Sequence, residues 1–127
     1  MNKYALNPDL RKSARVYGRS LRISTKSSKI VCKAITGKNL DKGRKLLEGM
    51  ASQERDLEGK YYSNTTREIL NLLKSAEANA EFKGLDLSRT IIHASAHQGF
   101  AFMRPRRLKM RRTKRKITNI QMVLMEK

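Results

Sequence analysis

Thirteen consecutive residues, 104–116, carry nine positive side chains and no acidic one: Arg104, Arg106, Arg107, Lys109, Arg111, Arg112, Lys114, Arg115 and Lys116. At about 4 Å and an effective dielectric near 20, each like-charge pair costs several kcal/mol, so the run cannot pack on itself without counter-charge. Its large apolar side chains are Leu108 and Met110 alone. The run must therefore lie outside any core, in surroundings that supply anions. Its flanks decide its form. Residues 90–97 place Ile92, Ala94 and Ala96 on one side and Ile91, His93, Ser95 and His97 on the other. Residues 117–125 alternate Ile120, Met122 and Leu124 with Asn119, Gln121 and Val123. Period-two patterns of this kind read as strands. Paired antiparallel, they make the basic run the tip of a long hairpin projecting from a body. Arginine suits that arm because its planar fork donates two hydrogen bonds to one phosphate and stacks on exposed bases, whereas lysine is a point charge.

The rest of the composition points the same way. Lys and Arg number 29 against 11 Asp and Glu, a net charge of +18, and the pI is near 10.6. Polyanions, nucleic acid first, are the expected partners. A hydrophobic share of 39% is too high for a disordered basic tail and below the globular average, which implies a small core with a charged periphery. At 127 residues the chain is one domain's worth. The single cysteine, Cys32, excludes an internal disulfide and a Cys-rich zinc site and fits a reducing compartment. No stretch approaches the ~18 to 20 uninterrupted apolar residues of a membrane span, and the first fifteen residues lack a signal-peptide run, so a cytosolic or nuclear protein is expected. No repeat at a period of tens of residues is visible, which removes solenoids.

Residues 1–12 are polar, contain Pro8 and show no period; they read as an extended tail that needs a partner to become ordered. Residues 14–24 read as a strand with Tyr17, Leu21 and Ile23 on one face and Arg19 interrupting it. Ser24 or Thr25 then caps a short helix with Ile30, Val31, Ala34 and Ile35 as its stripe, ended by Gly37. A second helix is expected over 39–52, where Leu40, Leu46, Leu47, Met50 and Ala51 share a face with Gly43, a mark of a close helix contact. Residues 53–64 read as a loop. Thr65 and Glu68 have the spacing of a capping box before a long helix with Ile69, Leu72, Leu73, Ala76 and Ala80 on one face, stopped at Lys83 and Gly84.

Catalytic chemistry finds no support. His93 and His97 make H-x-x-x-H, but on a strand the pair stands roughly 13 Å apart at about 3.3 Å per residue, too far for a shared ion, so no metal site is expected. Cys32 reads as a small buried hydrophobe without a neighbouring base. Glu77 and Glu81 share a helix face with Lys74 and read as solvated charges or a surface ion pair. No Gly-rich phosphate loop, G-x-S-x-G elbow or H-E-x-x-H element is present. Neither a catalytic residue nor a cofactor is assigned. For the basic run, the competing readings are a localisation signal or a disordered solubilising stretch. Its position between two strands, just after Phe100 and Phe102, favours a structured binding element.

On these residues the chain resembles the L-twenty-two family of large-subunit ribosomal proteins, called L-seventeen in many eukaryotes. The most specific match is Ala76-Glu77-Ala78-Asn79-Ala80-Glu81-Phe82-Lys83-Gly84-Leu85-Asp86, similar to the end of the family's long helix. Residues 18–26 resemble the approach to its first helix, 35–38 the link to its second, and 117–127 its closing strand. Tyr4-Ala5-Leu6-Asn7-Pro8 is closer to the eukaryotic branch than to the bacterial one. The resemblance implies an α+β fold: three helices packed on a small antiparallel sheet, with a long protruding basic β-hairpin. It divides one domain into a tail (1–12), a body (13–98 and 117–127) and an arm (99–116). It also implies large-subunit rRNA and neighbouring ribosomal proteins as partners, with the arm reaching the wall of the nascent-peptide exit tunnel. The nascent polypeptide would then meet the arm at Leu108, Lys109, Met110, Arg111 and Arg112. Two departures stand out: only residues 53–64 occupy a connection that is longer in many archaeal and eukaryotic relatives, and the tip reads Leu108-Lys109-Met110-Arg111-Arg112 in place of Arg-Ala-x-Gly-Arg.

The expected function is thus a structural, rRNA-binding constituent of the cytoplasmic large subunit, with Arg15, Arg19, Arg22 and Lys26 clamping RNA on the body and the nine arm cations filling an interior crevice. No small-molecule substrate and no membrane insertion are expected. The rival is a free basic DNA- or RNA-binding regulator, disfavoured because the charge sits between strands while the helices have acidic or mixed polar faces. A membrane-surface module is disfavoured by the helices' low basic and aromatic amphipathicity.

Overall fold

In the computed structural model, residues 4–100, 102–103, 109 and 112–127 are described. The chain runs β1 (Ser13–Leu21), α1 (Thr25–Ile35), α2 (Leu40–Ala51), α3 (Ser63–Phe82), a 3-10 turn (Leu87–Arg89), β2 (Thr90–Gln98), β3 (Phe102–Met103), β4 (Lys114–Arg115) and β5 (Thr118–Glu126). The strand formed last in sequence is central: β5 pairs antiparallel with both β1 and β2. Its position explains its composition, since Ile120, Gln121, Met122, Val123 and Leu124 are all buried. β3 pairs antiparallel with β4, Phe102 opposite Arg115 and Met103 opposite Lys114, so the foot of the arm is a β-ladder. The fold is α+β, three helices on a small antiparallel sheet.

The register sorts the sheet into two faces. Ala14, Leu124 and Ile92 stand side by side, as do Val16, Met122 and Ala94. This face meets the helices through Val31, Cys32 and Ile35 of α1, Leu40, Leu47 and Met50 of α2, and Ile69, Leu73, Ala76 and Ala80 of α3. Arg15, Tyr17, His93, Ser95, Gln121 and Val123 point to the second face. Tyr17 and Leu21 do not share a face as the period-two pattern in β1 predicts. Ser20 takes φ 57° and the register shifts between Gly18 and Leu21, so the strand changes face at this irregularity.

Residues 4–12 lie against that second face. Ala5 N–H donates to Gln121 Oε1 (2.8 Å), the Tyr4 ring meets Tyr17 edge-on at 6.2 Å between centroids, and Glu126 N–H donates to the Lys12 carbonyl (3.0 Å). Residues 4–12 are therefore in contact with the chain's own body, which the absence of a period did not suggest; residues 1–3 of the expected tail lie outside the described residues.

Local chemistry sets one end of α3 and not the other. Gly84 at φ 71° closes α3 in a Schellman arrangement, with Leu85 N–H on the Ala80 carbonyl (3.0 Å) and Gly84 N–H on that of Glu81 (2.9 Å). At the other end of α3 the capping box does not form. The helix begins at Ser63, Tyr62 precedes it at φ 47°, and Thr65 and Thr66 are buried, the latter's hydroxyl donating to the Tyr61 carbonyl (3.3 Å). Gly43 does mark a close approach, but to a strand: a Cβ there would collide with Ile92 Cδ1. The link between α1 and α2 covers the edge of β2, with Gly37 N–H on the Ile92 carbonyl (2.8 Å) and Ile92 N–H on that of Lys38 (3.0 Å).

Candidate nucleic-acid interface

One threonine draws two distant parts of the chain together. Thr118, the first residue of β5, is buried; its hydroxyl donates to the Ile23 carbonyl (2.9 Å) and lies 2.8 Å from Thr25 Oγ1. The start of α1 is thereby fastened to the foot of the arm. On the other side of the foot, Gly99 N–H donates to the Ile117 carbonyl (2.9 Å), and a Cβ on Gly99 would stand 2.7 Å from Ile117 Cγ2. Only glycine lets the two sides of the arm come this close.

Two adjoining concavities result. One is lined by Arg22, Ile23, Ser24, Lys114, Arg115 and Lys116. Its neighbour shares Ser24 and the three arm cations and adds Thr25, Lys26, Gln98 and Ile117. Among the described residues five cations and no carboxylate line this cleft. The N-terminus of α1 opens into it. Ser24 makes no side-chain cap bond and the first turn holds no acidic residue, so first-turn amides and the positive end of the helix dipole face the same space as the cations. Backbone amides, a helix N-terminus and Arg and Lys side chains together are the donor set that binds phosphate oxygens.

The sequence-predicted residues divide accordingly. Arg22, Lys26, Lys114, Arg115 and Lys116 meet in the cleft. Arg19 is exposed on β1 and lines neither concavity. Arg15 is placed elsewhere: its guanidinium carbon stands 5.4 Å from the Tyr4 ring centroid and its Nη2 donates to the Pro8 carbonyl (3.1 Å), so it fastens the N-terminal segment to the sheet. Lys109 and Arg112 are exposed. Arg104, Arg106, Arg107, Leu108, Met110 and Arg111 lie outside the described residues.

Sequence reasoning missed Gln98, Ser24 and Thr25 as cleft residues, because nothing in a one-dimensional pattern tells that Thr118 will seat α1 beside the arm. It also passed over a second groove lined by Lys38, Lys42, Lys45 and Arg55. The three- and four-residue spacings of those lysines were a signal, one that reads equally as the solvated face of a helix. Glu77 corrects another expectation. It is 7% exposed and its Oε1 accepts from Arg44 Nε at 3.0 Å, with a second contact between Arg44 Nη2 and Glu77 Oε2, so it bolts α3 to α2 rather than standing in solvent. Burial pushes the Cys32 thiol up to about 12, leaving it a neutral core side chain. The described residues contain no cluster of three or more His, Cys, Asp or Glu able to hold a metal, and no described helix is long and apolar enough to cross a membrane.

Residues 16–125 match the family described as Ribosomal protein L22p/L17e. The chain belongs to that family. Among its relatives, the large ribosomal subunit protein uL22 of Archaeoglobus fulgidus is 33% identical over 117 residues, spanning 76% of each chain. That of Methanopyrus kandleri is 33% identical over 120 residues, again 76% of each. The Nitrosopumilus maritimus protein is 28% identical over 142 residues, 94% of this chain and 93% of its own. L22p/L17e proteins are structural ribosomal components, and this chain is accordingly not an enzyme.

Proposed function

We propose that this chain is a structural constituent of the cytoplasmic large ribosomal subunit that binds large-subunit rRNA through the cleft between α1 and the foot of the arm. The observation that carries the reading is the convergence of Arg22, Lys26, Lys114, Arg115 and Lys116 on the open N-terminus of α1. Phosphate contacts there supply affinity and register. The folded shape of the rRNA supplies specificity, because A-form helices hide their base edges in a narrow major groove. Arg19 adds a peripheral contact, and Arg15 acts on RNA only through the segment it fastens.

Beyond the cleft, the arm carries Arg104, Arg106, Arg107, Lys109, Arg111 and Arg112 into an rRNA crevice. Phosphates offset these charges and released counterions contribute entropy. Residues 108–112 then form part of the exit-tunnel wall beside the nascent polypeptide, with neighbouring large-subunit proteins around the body. The tail, body and arm divide at residues 12, 98 and 116, as the family resemblance implies. Support comes from the family membership and from the ladder of β3 on β4, which starts the arm as a hairpin.

Sedimentation of the tagged protein from lysate across a salt series tests the reading. Co-migration with large subunits that persists at high salt is expected, since purely electrostatic attachment weakens steeply with salt. Recovery in light fractions alone overturns it in favour of a free nucleic-acid regulator.

A further inference from the structure

We infer that Phe100 is a stacking platform for an unpaired RNA base, adjacent to the phosphate held in the cleft. The inference rests on the cleft reading above and adds to it a residue that recognises bases rather than charge. Phe100 is 85% exposed, an unusual state for a side chain whose burial stabilises by ~1.5–3 kcal/mol. Its backbone position is nevertheless fixed. Gln98, two residues before it, lines the cleft, and Gly99 is pinned to Ile117, which lines the same cleft. Two residues of extended chain span at most about 7 Å, so the ring stands within a nucleotide's reach of the phosphate site.

Among the described side chains one other phenylalanine, Phe82, is strongly exposed, and comparison with it separates this placement from accident. Phe82 is 94% exposed at the end of α3, but it follows Glu81, and the cation after it, Lys83, donates to the carbonyls of Ser13 (2.8 Å) and Leu10 (3.3 Å). Neither Phe82 nor its chain neighbours line the cationic cleft. Phe100 instead follows directly on the wall of the cleft that holds Lys26, Lys114 and Lys116, where a polyanion is drawn in and where a base swung out of its strand meets an aromatic face. Stacking of this kind tolerates any base, because every base has a π-face.

The chain contains no tryptophan, so Phe100→Trp places a single fluorescent reporter at the proposed contact with little effect on the fold. Two probes separate charge from bases: a short single-stranded oligoadenylate and inorganic polyphosphate, each titrated into the full chain at low salt. Oligoadenylate should bind and quench the emission of the introduced indole, whereas polyphosphate should bind without quenching. Phe100→Ala should lose about tenfold in oligoadenylate affinity, measured by anisotropy, and keep its polyphosphate affinity. Oligoadenylate binding without quenching, or with unchanged affinity in Phe100→Ala, overturns the inference and leaves a protein neighbour as the surface Phe100 meets. The double variant Lys114→Ala, Lys116→Ala tells the two failures apart. If it weakens both probes while Phe100→Ala weakens neither, stacking alone is overturned. If it binds both as the parent does, the cleft reading falls and the stacking falls with it.

Discussion

Along β5, Ile120, Met122 and Leu124 are fully buried beneath the helices, whereas Lys114 and Lys116, a few residues earlier in the same passage of chain, stand in solvent. The two regions solve opposite problems. The helix-covered face is complete in itself: apolar side chains from all three helices and all three long strands exclude water from one another, and the contribution grows with the area removed from water. The cleft gathers like charges that repel one another, and on the proposed function an outside anion completes it. On the proposed function, stability belongs to the first region and affinity to the second, and single substitutions should separate them.

The largest effect is expected in the core. Leu73→Ala removes a 1% exposed side chain from α3 where it faces the sheet and should cost ~2–5 kcal/mol in a denaturant titration. The salt dependence of RNA binding by the fraction still folded should stay unchanged. A shift in that slope would show that the two regions are coupled.

Next comes the Arg44–Glu77 pair, which lies between the two chemistries, an ion pair at the edge of the core. Its members are unequal, with side chains 41% and 9% exposed. Arg44→Ala strands a carboxylate away from water, while Glu77→Gln leaves a guanidinium that can still reach solvent. Arg44→Ala should therefore be the costlier change, on the order of 1–3 kcal/mol after allowance for the exposed side of the pair. Thermal denaturation of both variants checks the order, and a reversal would place the desolvation cost on the arginine.

The smallest change in stability is expected in the cleft. Lys116→Ala should move stability by no more than about 0.5 kcal/mol, yet lower the slope of log affinity against log salt by about one for a phosphate contact. A large loss of stability would mean that the cleft is structural and that core and cleft do not divide stability from affinity.

Much of this division is legible in the one-dimensional pattern. The period-two alternation around Ile92 and Ile120 locates β2 and β5 to within a residue or two, and spacings of three and four locate α2. Gly37 and Gly84 both take positive φ at helix ends, where a side chain is strained. Failures occur where a local rule is overruled by a distant partner. Thr65 and Glu68 fit a capping box, but burial of Thr65 and Thr66 moves the start of α3 back to Ser63. Glu77 pairs with Lys74 on a helical wheel and with Arg44 in space.

The sequence by itself determined the class of fold and the order of the helices and long strands, and it concentrated nine cations in one run, because periodicity and charge density are local properties of the chain. Only the tertiary structure decided which cations act together. Thr118 bridging Ile23 and Thr25, and Gly99 pressed against Ile117, bring the start of α1 to the foot of the arm. The threonine's contacts join residues more than ninety positions apart; they depend on packing geometry, and no local pattern encodes them.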